Sequence, residues 1–291
     1  MARIVKAGSD AGTEQEIGER VETAVRGGCR RPVGRALPEG VAVSSPLVGR
    51  VALVTGATGG IGSAICQRLA AAGAAVVVAY RSSGGEAEAL AGSLPGTGHS
   101  VAWVEVADSD SLEALAGHVV DRHGRLDILV NSAGFTRFVD HADLDGLGDD
   151  LIDQIFRVNW RGAFAATRVM RRLLEASGHG LIVNISSVAG GTGQGSNVAY
   201  CASKAALDSM TRSLGRALAP AIRVVSVAPG LVEGRYAEEL DPAWSRAQRE
   251  ATPLRRLASA DDVARAVLAV ATELPFSTGC VIPVDGGRPL T

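Results

Sequence analysis

The pentapeptide "YCASK" sets the Tyr200 phenol and the Lys204 ammonium four residues apart. On a helix, positions i and i+4 share one face about one turn apart. A cation that close favours the ionised phenol and draws its pKa down from about 10. A phenol tuned in this way can give and take a proton near neutral pH. Most Tyr/Lys pairs at this spacing are solvated helix faces, so the pair becomes chemistry only if other elements bring partners to it.

Those elements are legible from Arg50 onward. "RVALVT", "AAVVVAY", "SVAWVEV", "LDILVN", "GLIVNIS", "IRVVSVA" and "CVIPVDGG" read as seven strands, separated by helical stretches. Their continuous Val/Ile/Leu runs suit strands covered on both faces. The alternation predicts an α/β fold, a doubly wound parallel sheet of Rossmann-like type, in a single domain over 48–291. Residues 1–47 contain no aromatic side chain and mix turn formers with charge in "GGCRRPVGRALPEG". That composition cannot offset its ordering entropy, so it reads as a flexible N-terminal extension, helical at most over 14–25. It has neither the apolar core of a secretory signal nor the acid-poor character of a transit peptide; an over-long start is the alternative.

The 291 residues are 46% hydrophobic, 21% charged and 4% aromatic, with a net charge of −2. That balance gives no reason to expect nucleic acid or an anionic membrane as partner. No apolar run approaches the roughly 18 residues needed to span a bilayer. Cys29, Cys66, Cys201 and Cys280 are scattered without metal spacing, which points to a reducing cytoplasm. His99, His118, His123, His141 and His179 show no ligand spacing and read as surface residues. The acidic "DHADLDGLGDD" reads as a solvated turn, so no metal is expected.

"TGATGGIG" joins the first strand to the first helix. Gly56 allows the tight turn, Gly60 lets backbone approach a pyrophosphate, and Gly62 lets helix pack on strand. The spacing is G-x-x-x-G-x-G rather than G-x-G-x-x-G. In this strand–turn–helix setting it points to dinucleotide binding.

Four further pieces give the chain a family likeness: "NSAG" (131–134) after the fourth strand, with Asn159 in the following helix; "NISS" (184–187), thirteen residues before Tyr200; and "APG" (228–230) after the sixth strand. From about Val48 to Gly287 the chain resembles the short-chain dehydrogenase/reductases, most of all the 3-oxoacyl-thioester reductase-like ketoreductases. The resemblance implies a catalytic tetrad of Asn159, Ser187, Tyr200 and Lys204. Tyr200 would protonate the oxygen that gains charge, and Ser187 would hydrogen-bond it. Ser187 is preferred to Ser186 because it begins "SVAG" and keeps the family's spacing to the tyrosine. Lys204 would hold the nicotinamide ribose, and Asn159 would keep a water beside the lysine by distorting its own helix.

The same resemblance implies cofactor contacts along the turn (Gly56, Thr58, Gly60, Ile61, Gly62) and beside the adenine (Glu105, Val106). Asn131, Ala133 and Gly134 would serve the cofactor side of the fourth strand, with Asn131 chiefly steadying the sheet. Pro229, Gly230 and Val232 would meet the nicotinamide, with Tyr200 and Lys204 at its ribose. Glu105 replaces the usual Asp or Asn, Gly234 stands where a threonine is common, and Ser132 replaces a second asparagine.

Arg81 and Ser82 end the second strand, where NAD-specific folds place an acid on the ribose 2′-hydroxyl. With no carboxylate there, and Arg81 available to a 2′-phosphate, NADP (NADPH) is the expected cofactor, with NAD still accepted. The preference should be moderate, because Gly59 supplies no second basic residue.

The expected function is NADPH-dependent reduction of a small-molecule ketone, of 3-oxoacyl type. The alternatives are an NAD-linked alcohol or sugar dehydrogenase working oxidatively, or a non-catalytic dinucleotide-binding regulator. Gly178 and Ala221 stand where carrier-protein reductases have arginines, which weakens a carrier-bound substrate. Phe135, Phe138, Gln194, Tyr236 and Trp244 are candidates to line the substrate pocket, under a helical lid within 231–250. The resemblance also implies a homo-oligomer, tetramer or dimer, formed through helices around Asn159 and Tyr200 and through the C-terminal strand.

Overall fold

Seven β-branched and aliphatic runs pair into one parallel sheet: β1 (Val51–Thr55), β2 (Ala75–Tyr80), β3 (Ser100–Trp103), β4 (Ile128–Asn131), β5 (Gly180–Ile185), β6 (Ile222–Pro229) and β7 (Val281–Val284). The coordinates, a computed structural model, describe residues 45–234 and 242–290. Strand order is β3-β2-β1-β4-β5-β6-β7, so the order reverses between β1 and β4. In open α/β sheets, that reversal leaves a crevice at the carboxyl ends of the strands. The expected helix at 14–25 and most of the expected extension lie outside the described residues. Of that segment's described end, Leu47 is buried and its N–H donates to the Ala72 carbonyl, so this last residue joins the domain.

Helices cover both faces. On one, α1 (Gly60–Ala71) and α9 (Ala260–Thr272) bring Ile65, Leu69, Val263 and Val267 onto Val54, Val76 and Val130. The two helices are tied by a bidentate pair, Arg68 Nε and Nη2 donating to Asp261 at 2.5 and 2.7 Å. On the other face, α3 (Ser109–His123) and α5 (Ala163–Ala176) pack Leu112, Leu115, Met170 and Leu173 against Leu53, Val77 and Leu129. The remaining helices are α2 (Gly84–Ser93), α4 (Asp149–Phe156), the short α6 (Ala189–Thr192), α7 (Val198–Ala217) and α8 (Pro242–Ala251). Starts are fixed by side chains: Asp108 caps α3, Asn197 caps α7, and Ser259 with Asp262 forms a capping box on α9. Among the described residues, no helix is long and apolar enough to cross a membrane.

Several expectations need correction. β3 stops at Trp103, short of "VEV", and β6 runs through Pro229 instead of ending before "APG". The helix expected after β4 is divided into α4 and α5 by a π-helical turn, Arg157–Gly162, which holds the buried Asn159 where the distortion was expected. The acidic 140–148 loop is an exposed turn leading into α4, as its composition suggested.

The histidines are not all surface residues. His118 and His123 both aim Nε2 at the buried Ser100 hydroxyl, at 3.1 and 2.8 Å. One hydroxyl can donate to one neutral imidazole and accept from the other. Desolvation lowers both histidine pKa values, aided by Arg122 for each and by His118 and His99 for His123. A folded pKa below the unfolded value of about 6.5 favours the neutral form. The stabilisation is therefore present above that value and is lost as pH falls through it. Thermal unfolding should show a clear fall in Tm between pH 7 and pH 5, and a His118→Gln/His123→Gln variant should show a shallower one. An unchanged acid slope in the variant would place the titration elsewhere.

Candidate active site at the carboxyl end of the sheet

A cavity of about 940 Å3 opens at the β1/β4 reversal and continues over β5 and β6. Its floor is the glycine turn, where the three glycines have different jobs. Gly56 has φ +64°, and a Cβ there would lie 2.8 Å from the Ala133 Cα; at Gly62 a Cβ would meet the Gly56 carbonyl at 2.3 Å. Gly60, the first residue of α1, has nothing within 4 Å of that position and faces the cavity. The first two glycines serve conformation and packing. The third leaves a helix N-terminus bare to a ligand, the arrangement suited to a phosphate. Thr55 steadies the turn from below: its hydroxyl donates to the Val130 carbonyl and accepts from the Ser132 and Ala133 N–H groups.

Helix α7 is docked by a buried polar ladder. Asn131 Nδ2 donates to Asn184 Oδ1, Asn184 Nδ2 to Thr211 Oγ1, and Thr211 pairs with Ser226, all at 2.8–2.9 Å. This ladder joins β4, β5, α7 and β6 and fixes the height of the helix over the strand ends. The Asn197 cap accepts from the Tyr200 N–H at 2.7 Å and donates to the Arg137 carbonyl at 2.7 Å, placing Tyr200 in the first turn.

Lys204 lies one turn on, nearly fully buried, with Nζ 5.7 Å from the centre of the Tyr200 ring and donating to the Ile185 carbonyl at 2.9 Å. Burial lowers its pKa to about 8, opposed by the Asp208 carboxylate one turn further along α7. Asn159 reaches the same region from the π turn. Its Oδ1 accepts from the Phe135 N–H at 2.8 Å, and its Nδ2 donates to the Phe135 carbonyl and to Ser203 Oγ at 3.0 Å. A Cβ on Gly134 would stand within 4 Å of both Asn159 Oδ1 and Lys204 Nζ. Ser186 is buried, with its hydroxyl donating to the Lys204 carbonyl, while Ser187 is half-buried on the cavity wall and accepts from the Ala189 N–H.

Ser187, Tyr200 and Lys204 therefore share one cavity wall with Gly56, Gly60, Ile61, Gly62 and Gly134, and with Pro229, Gly230 and Val232. Thr58, Ala133 and Asn159 stand outside that wall. Asn131 is also outside it, with its Nδ2 turned into the ladder, in keeping with the sheet-steadying role expected of it. Phe135, Phe138, Gln194 and Trp244 line the cavity as expected; Tyr236 lies outside the described residues. Gln248 and Arg288 also line it and were not foreseen. Gln248 follows Trp244 by one turn of α8, a signal the lid segment carried; Arg288, after the last strand, offered none. Gly234 has φ +133°, a conformation that disfavours the threonine expected there.

Arg81, Ser82, Glu105 and Val106 lie past the cavity, at the ends of β2 and β3. Here the sequence expectation fails. A carboxylate does stand beside Arg81, because Glu105 Oε2 lies 3.7 Å from Arg81 Nη1. It comes from the neighbouring strand end, which the pairing of Tyr80 with Trp103 brings alongside.

Residues 56–288 match the family model described as enoyl-(acyl carrier protein) reductase. The chain is 39% identical over 242 residues to ketoacyl reductase 2 of the granaticin polyketide synthase of Streptomyces violaceoruber, covering 82% of this chain and 96% of that one. It is 37% identical over 249 residues to the 3-oxoacyl-[acyl-carrier-protein] reductase of Aquifex aeolicus, covering 83% and 98%. A crystal structure of a short-chain dehydrogenase/reductase from Burkholderia xenovorans superposes with a TM-score of 0.77 at 31% identity, over 83% of this chain and 98% of that one.

The glycine geometry makes a paired prediction. Gly56→Ala should lower stability by about 1–3 kcal/mol, because it combines a positive φ with a backbone clash. Gly60→Ala should leave Tm within a degree or two of the parent while weakening NADP binding at least tenfold. Calorimetric unfolding and titration of both proteins check the pair; a large Tm loss in Gly60→Ala would contradict the open wall.

Proposed function

The chain belongs to the short-chain dehydrogenase/reductase family, and from that premise we propose that it is an NADPH-dependent reductase of small ketones. The observation that carries this reading is a single cavity holding both the bare N-terminus at Gly60 and the Ser187–Tyr200 pair, with a buried ammonium behind them. The open space at Gly60 fits a dinucleotide, since a side chain there would occupy the room a pyrophosphate needs. Backbone N–H groups at Gly60 and Ile61 would hold the phosphates, Lys204 the ribose hydroxyls, and main chain at Pro229–Val232 the nicotinamide amide. When bound, the nicotinamide supplies the hydride.

The chain's own groups handle the proton and the charge. Tyr200 Oη gives its proton to the substrate oxygen as that oxygen gains negative charge. Ser187 Oγ–H donates to the same oxygen, a donor already aimed before the charge develops. A Lys204 pKa of about 8 leaves the ammonium protonated at neutral pH, where it stabilises the phenolate left behind. Asn159 has both its polar atoms engaged with Phe135 and Ser203. Its contribution in this reading is to hold the π turn, whose displaced carbonyls can support a water that reprotonates the site.

The substrate side is aromatic, with Phe135, Phe138 and Trp244, and carries two amides, Gln194 and Gln248. The aromatic part of that lining suits the apolar body of a ketone, beside the charged Glu233 and Arg288 that also line the cavity. Gly178 and Ala221 offer no arginine, so the favoured substrate is a free ketone and not a carrier-bound thioester. The reading includes a cytoplasmic location, supported by the unpaired Cys66, Cys201 and Cys280. It also includes a homo-oligomer. Trp160 and Phe164 support this, as they stack at 5.8 Å on the outer side of the helices around Asn159, as does the fully exposed Phe276 before β7.

Tyr200→Phe should keep the fold and bind NADPH within about twofold of the parent while losing about 10²–10⁴-fold in turnover. Undiminished reduction of a ketone panel by the phenylalanine protein would overturn the proton assignment. NADPH preference is part of the same reading and rests on Arg81. Arg81→Ala should raise the KM for NADPH several-fold and hardly alter that for NADH. Equal or better efficiency with NADH in the parent enzyme would instead favour the oxidative alcohol dehydrogenase.

A further inference from the structure

Past the cavity, at the ends of β2 and β3, Arg81 has a partner that the function above does not use. Arg81 is more than half exposed, and its one ion pair among the described residues is with Glu105. Both partners are held in place by the neighbouring strand ends. The Arg81 carbonyl accepts from Trp103 Nε1–H at 2.9 Å, which pins the arginine backbone to β3. The β2–β3 ladder continues one residue beyond β3, where the Val104 N–H donates to the Tyr80 carbonyl at 2.8 Å. Glu105 follows directly. Its N–H donates to Ser111 Oγ, and its Oε1 accepts from the Ala107 N–H at 3.0 Å. With Oε1 committed to the turn, Oε2 is the oxygen directed at Arg81.

Resting on the reading of Arg81 as the 2′-phosphate contact, we propose that Glu105 is a specificity-determining residue that competes with that phosphate for the Arg81 guanidinium. The carboxylate presents to the guanidinium the same kind of charged oxygen that a 2′-phosphate would. Binding NADP then requires exchange of one anion for another at Arg81. Binding NAD does not, and its ribose 2′-hydroxyl can donate to Glu105. The end of β2 has no acid of its own, and the end of β3 supplies one across the sheet. NADP selection is thus held to a moderate level by an internal competitor. At 3.7 Å and with both partners partly exposed, the pair is a weak one, so the expected effect is a severalfold change and not an absolute switch.

Adenosine fragments test this without turnover, because they reach only the adenine end of the site. Dissociation constants of 2′,5′-ADP and of 5′-AMP would be measured by calorimetric titration for the parent, Glu105→Gln, Arg81→Ala and the double variant. Glutamine keeps an oxygen for the Ala107 N–H, so the turn and the fold are retained, which unfolding curves would verify. The expected result is that Glu105→Gln tightens 2′,5′-ADP about fivefold and leaves 5′-AMP within twofold, and that this gain disappears once Arg81 is alanine. Unchanged or weaker 2′,5′-ADP binding in Glu105→Gln would overturn the proposal and make Glu105 an adenine contact only. A gain that persists in the Arg81→Ala background would also overturn it, showing direct repulsion without competition. Failure of the underlying reading looks different: Arg81→Ala alone would leave 2′,5′-ADP binding unchanged.

Discussion

A buried ammonium is the constraint around which this site is built. Lys204 is only 5% exposed, and removing a cation from water costs several kcal/mol unless dipoles and charges replace the solvent. The replacements here are the Ile185 carbonyl at the end of β5 and the Asp208 carboxylate one turn along α7. Burial still lowers the pKa to about 8, with the Asp208 charge opposing that fall. A cation held in this way needs a strand end and a helix at one fixed separation. That requirement explains the polar ladder Asn131–Asn184–Thr211–Ser226, which would be an odd use of four buried side chains in an otherwise aliphatic core. It also explains Gly190, where a Cβ would come within 2.8 Å of the Lys204 and Ala205 main chain, so that α6 and α7 can pack without a side chain between them.

Once α7 is fixed, the remaining groups follow by short links. Asn197 ends the preceding loop and caps the helix, so the Tyr200 ring emerges at its first turn rather than along its flank. Ser203, one position before Lys204, receives Asn159 and thereby ties α7 to the π turn. The π turn in turn holds Phe135 through both its N–H and its carbonyl, which sets the mouth of the cavity beside β4. Three helices and two strand ends are therefore registered to one another through side chains that never face the ligand space. Of the expected tetrad, Ser187, Tyr200 and Lys204 face it, and they are held there by links made outside the cavity.

How much of this was legible in the sequence depends on the physical origin of each feature. The seven strands were readable because a parallel sheet buries both faces, and continuous aliphatic runs have few other uses. The glycine turn was readable because Gly56 and Gly62 stand where a Cβ cannot fit, a constraint that sequence expresses directly. The Tyr200–Lys204 pair was readable through helical spacing, though only the family likeness separated it from an ordinary helix face. The π turn was foreseen only through the family likeness, as a helix distorted at Asn159, because Arg157–Gly162 differs from its neighbours in hydrogen-bond register and not in residue type. His118 and His123 escaped for a related reason: Ser100, the group that unites them, lies on a strand, and no spacing along the chain reveals a partner brought in by the sheet.

The same blindness hid the pairing of Glu105, read only as an adenine-side residue, with Arg81. Reading position by position, the end of β2 lacks an acid; reading across the sheet, the end of β3 provides one. The two ends of the cavity differ in the strength of such contacts. At the Lys204 end the groups are buried, so each charge is felt strongly and a change of one atom disturbs both chemistry and fold. At the Arg81 end the charges are half in water, where screening reduces a pair to the scale of thermal energy. On the proposed reading, cofactor preference set there would be alterable by one exposed side chain at little expense in stability, while the Lys204 end is held by its own burial. The fold keeps adjustable selection and fixed chemistry on the same strand ends, separated by how much water each can see.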